Sequence, residues 1–211
     1  MSFKIKLILL ISTLSLSGMA NYLTIGESGE MINKGQYRLG ASLQSLTAGK
    51  SGLNIGTFID TGISDDSSAR FLFGVGSVDF HLGGSYKYIP FPDFQNQPAI
   101  GLKASAWLAR IADTSTTTFQ ISPLISKKVA IDKGELTPYF AIPVNIVVTK
   151  NTNATGAQFV VGSEYQHPEV ENVIFAGEVA LNLNNSESGF AIFASIPFDS
   201  SKGLQRRSKR E

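Results

Sequence analysis

The sequence predicts an all-β chain: an antiparallel, up-and-down transmembrane β-barrel of about ten strands, with roughly eight to twelve as the range. Three observations predict it. Apolar residues alternate with polar or small ones over successive segments of about ten residues, the period of a strand with two unlike faces. No i, i+3, i+4, i+7 apolar stripe runs along the chain. Beyond the first twenty residues no stretch is long and apolar enough for a membrane helix. A chain that spans lipid without helices must close into a barrel, because lipid cannot satisfy an open sheet edge.

The chain begins with a pattern of export. Lys4 and Lys6 precede an apolar run, Leu7 to Leu16, and Ser17-Gly-Met-Ala20 supplies small residues for cleavage. Residues 1–20 are therefore expected to be a removable signal peptide. Its loss takes the formal net charge from +1 to −1. No cysteine occurs, which removes disulfides, thiolate metal sites and a lipid-anchored N-terminus from consideration. Residues 21–34 are expected to be an N-terminal periplasmic segment, 35–198 the barrel and 199–211 a tail.

Ten strands follow in order. Gly35 to Leu46 places Tyr37, Leu39, Ala41 and Leu43 opposite Arg38, Gly40, Ser42 and Gln44. Ala48-Gly-Lys-Ser-Gly52 turns into Leu53 to Gly62, and Ser64-Asp-Asp-Ser-Ser68 into Ala69 to Gly76. The fourth strand shows the pattern best. Val78, Phe80, Leu82, Gly84, Tyr86 and Tyr88 share one face, and Asp79, His81, Gly83, Ser85 and Lys87 the other. Ala99 to Ile111, Thr116 to Ile131 and Leu136 to Thr149 come next, separated by Asp113-Thr-Ser and Asp132-Lys-Gly. Pro138 and Pro143 fall inside the last of these and predict bulges. Gly156 to Gln166, Val173 to Asn182 and Gly189 to Phe198 complete the set. Short connections favour antiparallel neighbours.

With the apolar face outward, Arg38, Asp79, His81, Lys87, Lys103, Glu164 and Glu178 line the lumen. Both signs are present, so these groups can form an internal network of ion pairs or edge a narrow passage. Gly40, Gly83, Ser85, Gly101 and Ser105 also point inward and are expected to leave space. Aromatic residues near strand ends (Tyr37, Tyr86, Tyr88, Phe91, Phe159, Tyr165 and Phe198) read as interface girdles.

Together these residues resemble small bacterial outer-membrane β-barrel proteins across nearly the whole mature chain. The last strand, Gly189-Phe-Ala-Ile-Phe-Ala-Ser-Ile-Pro-Phe198, looks like the C-terminal strand recognised by the outer-membrane assembly machinery, with Phe190, Ile192, Ile196 and Phe198 as its signal residues. The resemblance implies an outer-membrane location with both termini periplasmic, outer-membrane lipid and that machinery as partners, and a structural role or a narrow passive pore for small solutes. A soluble periplasmic lipocalin-like barrel around a hydrophobic ligand stands as the alternative, since alternation alone does not say which face is outward. The tail carries five basic and two acidic side chains, suited to acidic or phosphate-bearing envelope components or simply to solvent; nucleic acid is not an expected partner.

No enzyme is expected. Asp79 and His81 resemble half of an omptin protease site, but no Asp-x-Asp ends any strand to supply the other half. His81 is followed by Leu82 and Gly83, not by the serine of a lipid A deacylase, and His167 sits beside Pro168 in a turn. Two distant histidines without cysteine give no zinc site, and no phosphate loop or EF-hand is present, so no metal or cofactor is expected.

Overall fold

The computed structural model describes residues 25–47, 52–111, 113–150, 152–170 and 173–199. The expected signal peptide and the tail beyond Asp199 lie outside the described residues. The strands are β1 (Gln36–Leu46), β2 (Gly52–Ser64), β3 (Ser67–Gly76), β4 (Phe80–Phe91), β5 (Ala99–Ile111), β6 (Thr114–Ser126), β7 (Val129–Ile131), β8 (Gly134–Ala141), β9 (Val144–Thr149), β10 (Asn153–Gln166), β11 (Ile174–Asn184) and β12 (Gly189–Asp199). A single 3-10 turn, Pro168–Val170, precedes β11.

All pairings between strands are antiparallel, and β12 closes on β1 with Gln36 opposite Asp199 and Leu46 opposite Gly189. β8 and β9 together make one stave, and β7 extends the far side of a short hairpin with β8, so the wall has ten staves. Closure of β12 on β1 pairs the barrel wall all round, as a membrane-spanning sheet requires, and only the three-residue β7 is paired on one side alone among the described strands. Both ends of the described wall, Gln36 and Asp199, lie at the same rim.

Pro138 and Pro143 do not bulge the wall. The pairings of β8 and β9 with β6, and with β10, keep one register across Ile142 and Pro143. Pro143 still accepts from the Gln158 amide through its carbonyl at 3.0 Å, and Pro138 accepts from Lys127 at 3.1 Å. The missing N–H of Pro138 faces the break between β6 and β7, where the ladder has already lapsed. Register shifts occur instead at Gly62/Ser64, at Tyr88/Phe91 around Pro90, and at Ala157/Gln158.

The apolar face is the outer one. Ile55 is 55% exposed, Phe71 55%, Ile121 55% and Ile192 53%, whereas their neighbours Asn54, Arg70, Gln120 and Ala191 are buried. A lipocalin-like interior is therefore overturned: charge lines the lumen and apolar side chains face out. At the rim where the chain ends, Tyr37 stacks on Phe198 with ring centroids 5.3 Å apart. Tyr86, Tyr88 and Phe91 continue the aromatic rim on β4, whereas Phe159 stacks on Phe140. A closed antiparallel barrel with this exterior has the architecture of a membrane-spanning β-barrel.

Small inward residues do not open the lumen, contrary to expectation. Gly40 lies directly opposite Phe58 in the β1–β2 ladder, Gly83 opposite Trp107 and Gly162 opposite Tyr139. A Cβ on Gly40 would lie 2.2 Å from Phe58 Cζ, and one on Gly162 2.3 Å from Tyr139 Cζ. Each glycine is the seat of an aromatic ring from the next stave, a device that also pins register. Phe58, Trp107 and Phe193 join Leu46, Leu72, Val78 and Ala109 to fill the half of the lumen away from the chain ends.

Gly40→Ala should destabilise the barrel by about 1–3 kcal/mol through overpacking against Phe58. Gly177→Ala, whose Cβ would approach nothing nearer than the Ala191 carbonyl at 4.0 Å, should lie within about 0.5 kcal/mol of wild type. Urea unfolding of the refolded proteins compares the two.

Candidate functional site

Residues 21–34 were expected to be an N-terminal periplasmic segment; of its described residues, Ile25 to Gly29 run inside the barrel and Glu30 to Lys34 lead out to β1. Ile25, Gly26, Glu27, Ser28 and Gly29 are all buried, and Lys34 bridges to Gly62 where the segment meets β1. The local sequence, Ile25-Gly-Glu-Ser-Gly-Glu30, has no strand or helix pattern, and its two glycines permit an irregular path against the wall. Gly26 adopts a φ of +66° and has Phe193 and Arg70 against its Cα.

An irregular backbone at this depth must have its polar groups satisfied by protein. The wall supplies the partners from six staves. Ile25 and Gly26 donate their amides to the two oxygens of Glu178, at 2.9 and 2.7 Å, and Ser28 donates to Glu164 Oε1 at 2.6 Å. The Gly29 amide reaches Ser126 Oγ at 3.0 Å. In the other direction Lys103 Nζ donates to the Ile25 carbonyl at 2.6 Å and Arg70 Nη1 to that of Gly26 at 3.1 Å. Lys87 Nζ donates to the carbonyls of Ser28 and Glu30, both at 2.8 Å.

Glu27 stands at the centre of this arrangement. One oxygen lies 2.9 Å from Lys87 Nζ and the other 2.8 Å from Lys103 Nζ, with Arg38 and Arg70 at 3.9 and 4.0 Å. Asp60 holds both arginines: Arg70 as a two-bond fork at 2.6 and 2.9 Å, and Arg38 through Nε at 2.8 Å. Arg70 also lies over the Phe58 ring, 4.1 Å from its centroid. Tyr139 donates to Glu178 Oε2 at 2.7 Å, which orients that carboxylate toward the segment. Arg38, Arg70, Lys87 and Lys103 thus meet Glu27, Asp60, Glu164 and Glu178 in one buried layer, four cations against four carboxylates.

Of the seven residues expected in the lumen, Arg38, Lys87, Lys103, Glu164 and Glu178 sit in this layer. His81 points inward elsewhere, packed over Gly74. Asp79 does not belong to the lumen. It is exposed in the turn before β4, because pairing of β3 with β4 ends at Gly74 and His81 and the alternation does not continue through the turn. There the Val78 amide donates to Asn54 Oδ1 at 2.9 Å, and Val78 folds inward. Asp79 and His81 consequently share no face. Three members of the layer were not anticipated: Glu27, Asp60 and Arg70. Asp60 and Arg70 are direct cross-strand partners on β2 and β3, a signal that pairing across the Ser64–Ser68 turn carries. Glu27 offers only indirect notice, as the fourth carboxylate the four cations need.

Toward the rim with the chain ends, the segment floors a recess of about 150 Å³ lined in part by Met31, Arg38, Lys128, Glu135 and Glu164. Lys128 bridges Glu30 at 2.8 Å and Glu135 at 3.5 Å. Nearby, Asp93 pairs with Lys127 and accepts from the Lys128 amide at 2.6 Å. Burial opposes the Asp93 charge, but these hydrogen bonds and the two lysine charges outweigh it and hold its carboxyl below the ordinary value.

No protein-family model matches the chain, and no curated protein matches it. Among solved structures, the translocator domain of autotransporter NalP from Neisseria meningitidis is similar over 80% of this chain and 90% of that one, with a TM-score of 0.47 and 10% sequence identity.

Glu27→Gln should leave the layer one carboxylate short and cost about 3–5 kcal/mol, as breaking a buried pair does. Lys128→Ala at the rim should cost at most about 1 kcal/mol. Thermal unfolding in detergent measures both. The Asp93 contribution is present above its ordinary pKa of 3.8 and is lost as pH falls through the lowered folded value. Asp93→Asn should therefore remove about 0.2–1 kcal/mol at neutral pH and nothing once wild-type Asp93 is protonated.

Proposed function

We propose that the chain is an integral outer-membrane β-barrel held shut by its own N-terminal segment, with a structural role and no catalytic one. The exterior supports membrane residence: large apolar side chains stand exposed around the wall, which in water would be a continuous aggregation surface. The observation that carries the closed state is the path of residues 25–30 through the lumen, on which side chains of the wall bind four amides and four carbonyls. Every wall cation in that layer already has a carboxylate or a carbonyl to bind, so little is left to strip water from a passing solute.

In this proposal the rim that holds Gln36 and Asp199 faces the periplasm. The outward residues Phe190, Ile192 and Ile196 of β12, with Phe198 at its end, form the strand that the assembly machinery engages. The basic stretch after Asp199 meets periplasmic solvent or phosphate-bearing envelope components.

Urea washing of fractionated membranes should leave the protein in the outer membrane, and unheated protein should migrate differently from boiled protein in a gel. Release into the soluble fraction without a mobility shift would remove the membrane assignment. Purified protein in planar bilayers should be electrically silent. A steady ohmic conductance from the wild-type chain would replace the sealed barrel with the narrow-pore alternative.

A further inference from the structure

We propose that the lumen wall contains a binding site for a carboxylate, occupied in cis by Glu27, and that this site accepts a small free carboxylate when the Glu27 side chain is removed. The inference rests on the sealed-lumen reading and assigns the chemistry of the seal.

The wall is built for the carboxylate independently of the rest of the segment. Lys87 and Lys103 are direct cross-strand partners on β4 and β5, both inward and both about 99% buried. Like charges directly opposite each other repel, and burial magnifies the cost. Among the described residues no carboxylate of the wall comes within ion-pair distance of these two lysines. Asp60 is committed to Arg38 and Arg70, while Glu164 and Glu178 bind the amides of Ser28, Ile25 and Gly26. The other contacts of the lysines are to neutral carbonyls. Glu27 is the carboxylate in direct contact with them, one oxygen to each ammonium at 2.9 and 2.8 Å. A carboxylate offers a separate oxygen to each ammonium of that pair, as Glu27 does.

The site also holds a donor that Glu27 does not use. Arg38 Nη2 is buried, has no hydrogen-bond partner and lies 3.9 Å from Glu27 Oε2. The wall therefore offers the carboxylate more than the tethered side chain takes, as expected of a receptor site whose occupant is fixed by its own backbone. Replacing Glu27 by alanine removes a CH₂–COO⁻ group, which is the size of acetate.

The test uses full-length Glu27→Ala protein refolded in detergent at neutral pH. Its unfolding midpoint should lie below that of wild type and rise by several degrees, saturably, with sodium acetate, as binding to the folded state alone requires. Sodium chloride at matched ionic strength and sodium benzoate, too broad for the seat, should leave it unchanged. The double variant Glu27→Ala/Lys103→Met removes a cation along with the anion and should show no acetate response. If Glu27→Ala does not fold in chloride, refolding yield becomes the readout, and acetate must restore it. Equal effects of acetate and chloride, no effect of acetate on either readout, or an acetate response in the double variant each overturn the carboxylate site. Such a failure with a wild-type barrel that stays silent in bilayers leaves the sealed-barrel reading standing, whereas wild-type conductance defeats that reading first.

Discussion

Two lysines facing each other across β4 and β5 inside a closed barrel constrain everything around them. Lys87 and Lys103 cannot both be charged in that position without an anion between them, and the sheet register gives neither the freedom to leave. Asp60, a stave-borne carboxylate of the same layer, is already shared by two arginines. The carboxylate in contact with both lysines comes from outside the sheet. Glu27 supplies it, and in doing so draws an otherwise patternless segment into the lumen.

Once inside, that segment imposes its own demand. Each peptide group removed from water needs a partner, and an irregular path cannot provide one from within itself. The wall answers with charged side chains on β3, β4, β5, β10 and β11, acceptors for the amides and donors for the carbonyls. These groups serve two purposes together: they balance each other's charge, and they hold the backbone of the segment. Hydrogen bonds to charged partners are stronger than those between neutral groups, about 1.5–3 kcal/mol each against about 1. A segment of so few residues without secondary structure depends on that strength.

Much of this was legible in the sequence, and the reason is the strictness of the strand period. Alternation located ten staves and put Arg38, Lys87, Lys103, Glu164 and Glu178 inward, since every interior residue of a paired strand must follow the parity of its neighbours. The failures fall where that period stops. Asp79 was assigned by continuing the β4 pattern backward through a turn that does not keep it. Arg70 was obscured because Phe71, Leu72 and Phe73 make both faces of β3 look apolar, although Leu72 is inward beside Phe58 and Trp107. Inward glycines read as empty space because sequence shows what a residue lacks and not which ring lies over it. Glu27 belongs to a stretch with no period at all, so only the arithmetic of charge could point to it.

The position of the charged layer also bears on the proposal that the lumen is sealed. Partners of Arg38 traced around the sheet run Asp60, Arg70, Ser85, Ser105, Gln120, Asn145 and Gly156, climbing from the rim of the chain ends toward the opposite one. The charges occupy the lower part of this spiral, and neutral side chains the rest. The apolar cluster of Leu46, Phe58, Leu72, Val78, Trp107 and Phe193 fills part of the far half of the lumen. Asn54, His81, Gln120, Asn145, Gln158 and Glu187 are buried in that half as well. The charges of the lower layer are cancelled pairwise by groups fixed in the sheet and by Glu27. Withdrawal of the segment would leave the two lysines facing each other without the carboxylate that contacts both. The same register that sets Lys87 against Lys103 therefore favours the proposed sealed state, in which Glu27 lies against both lysines.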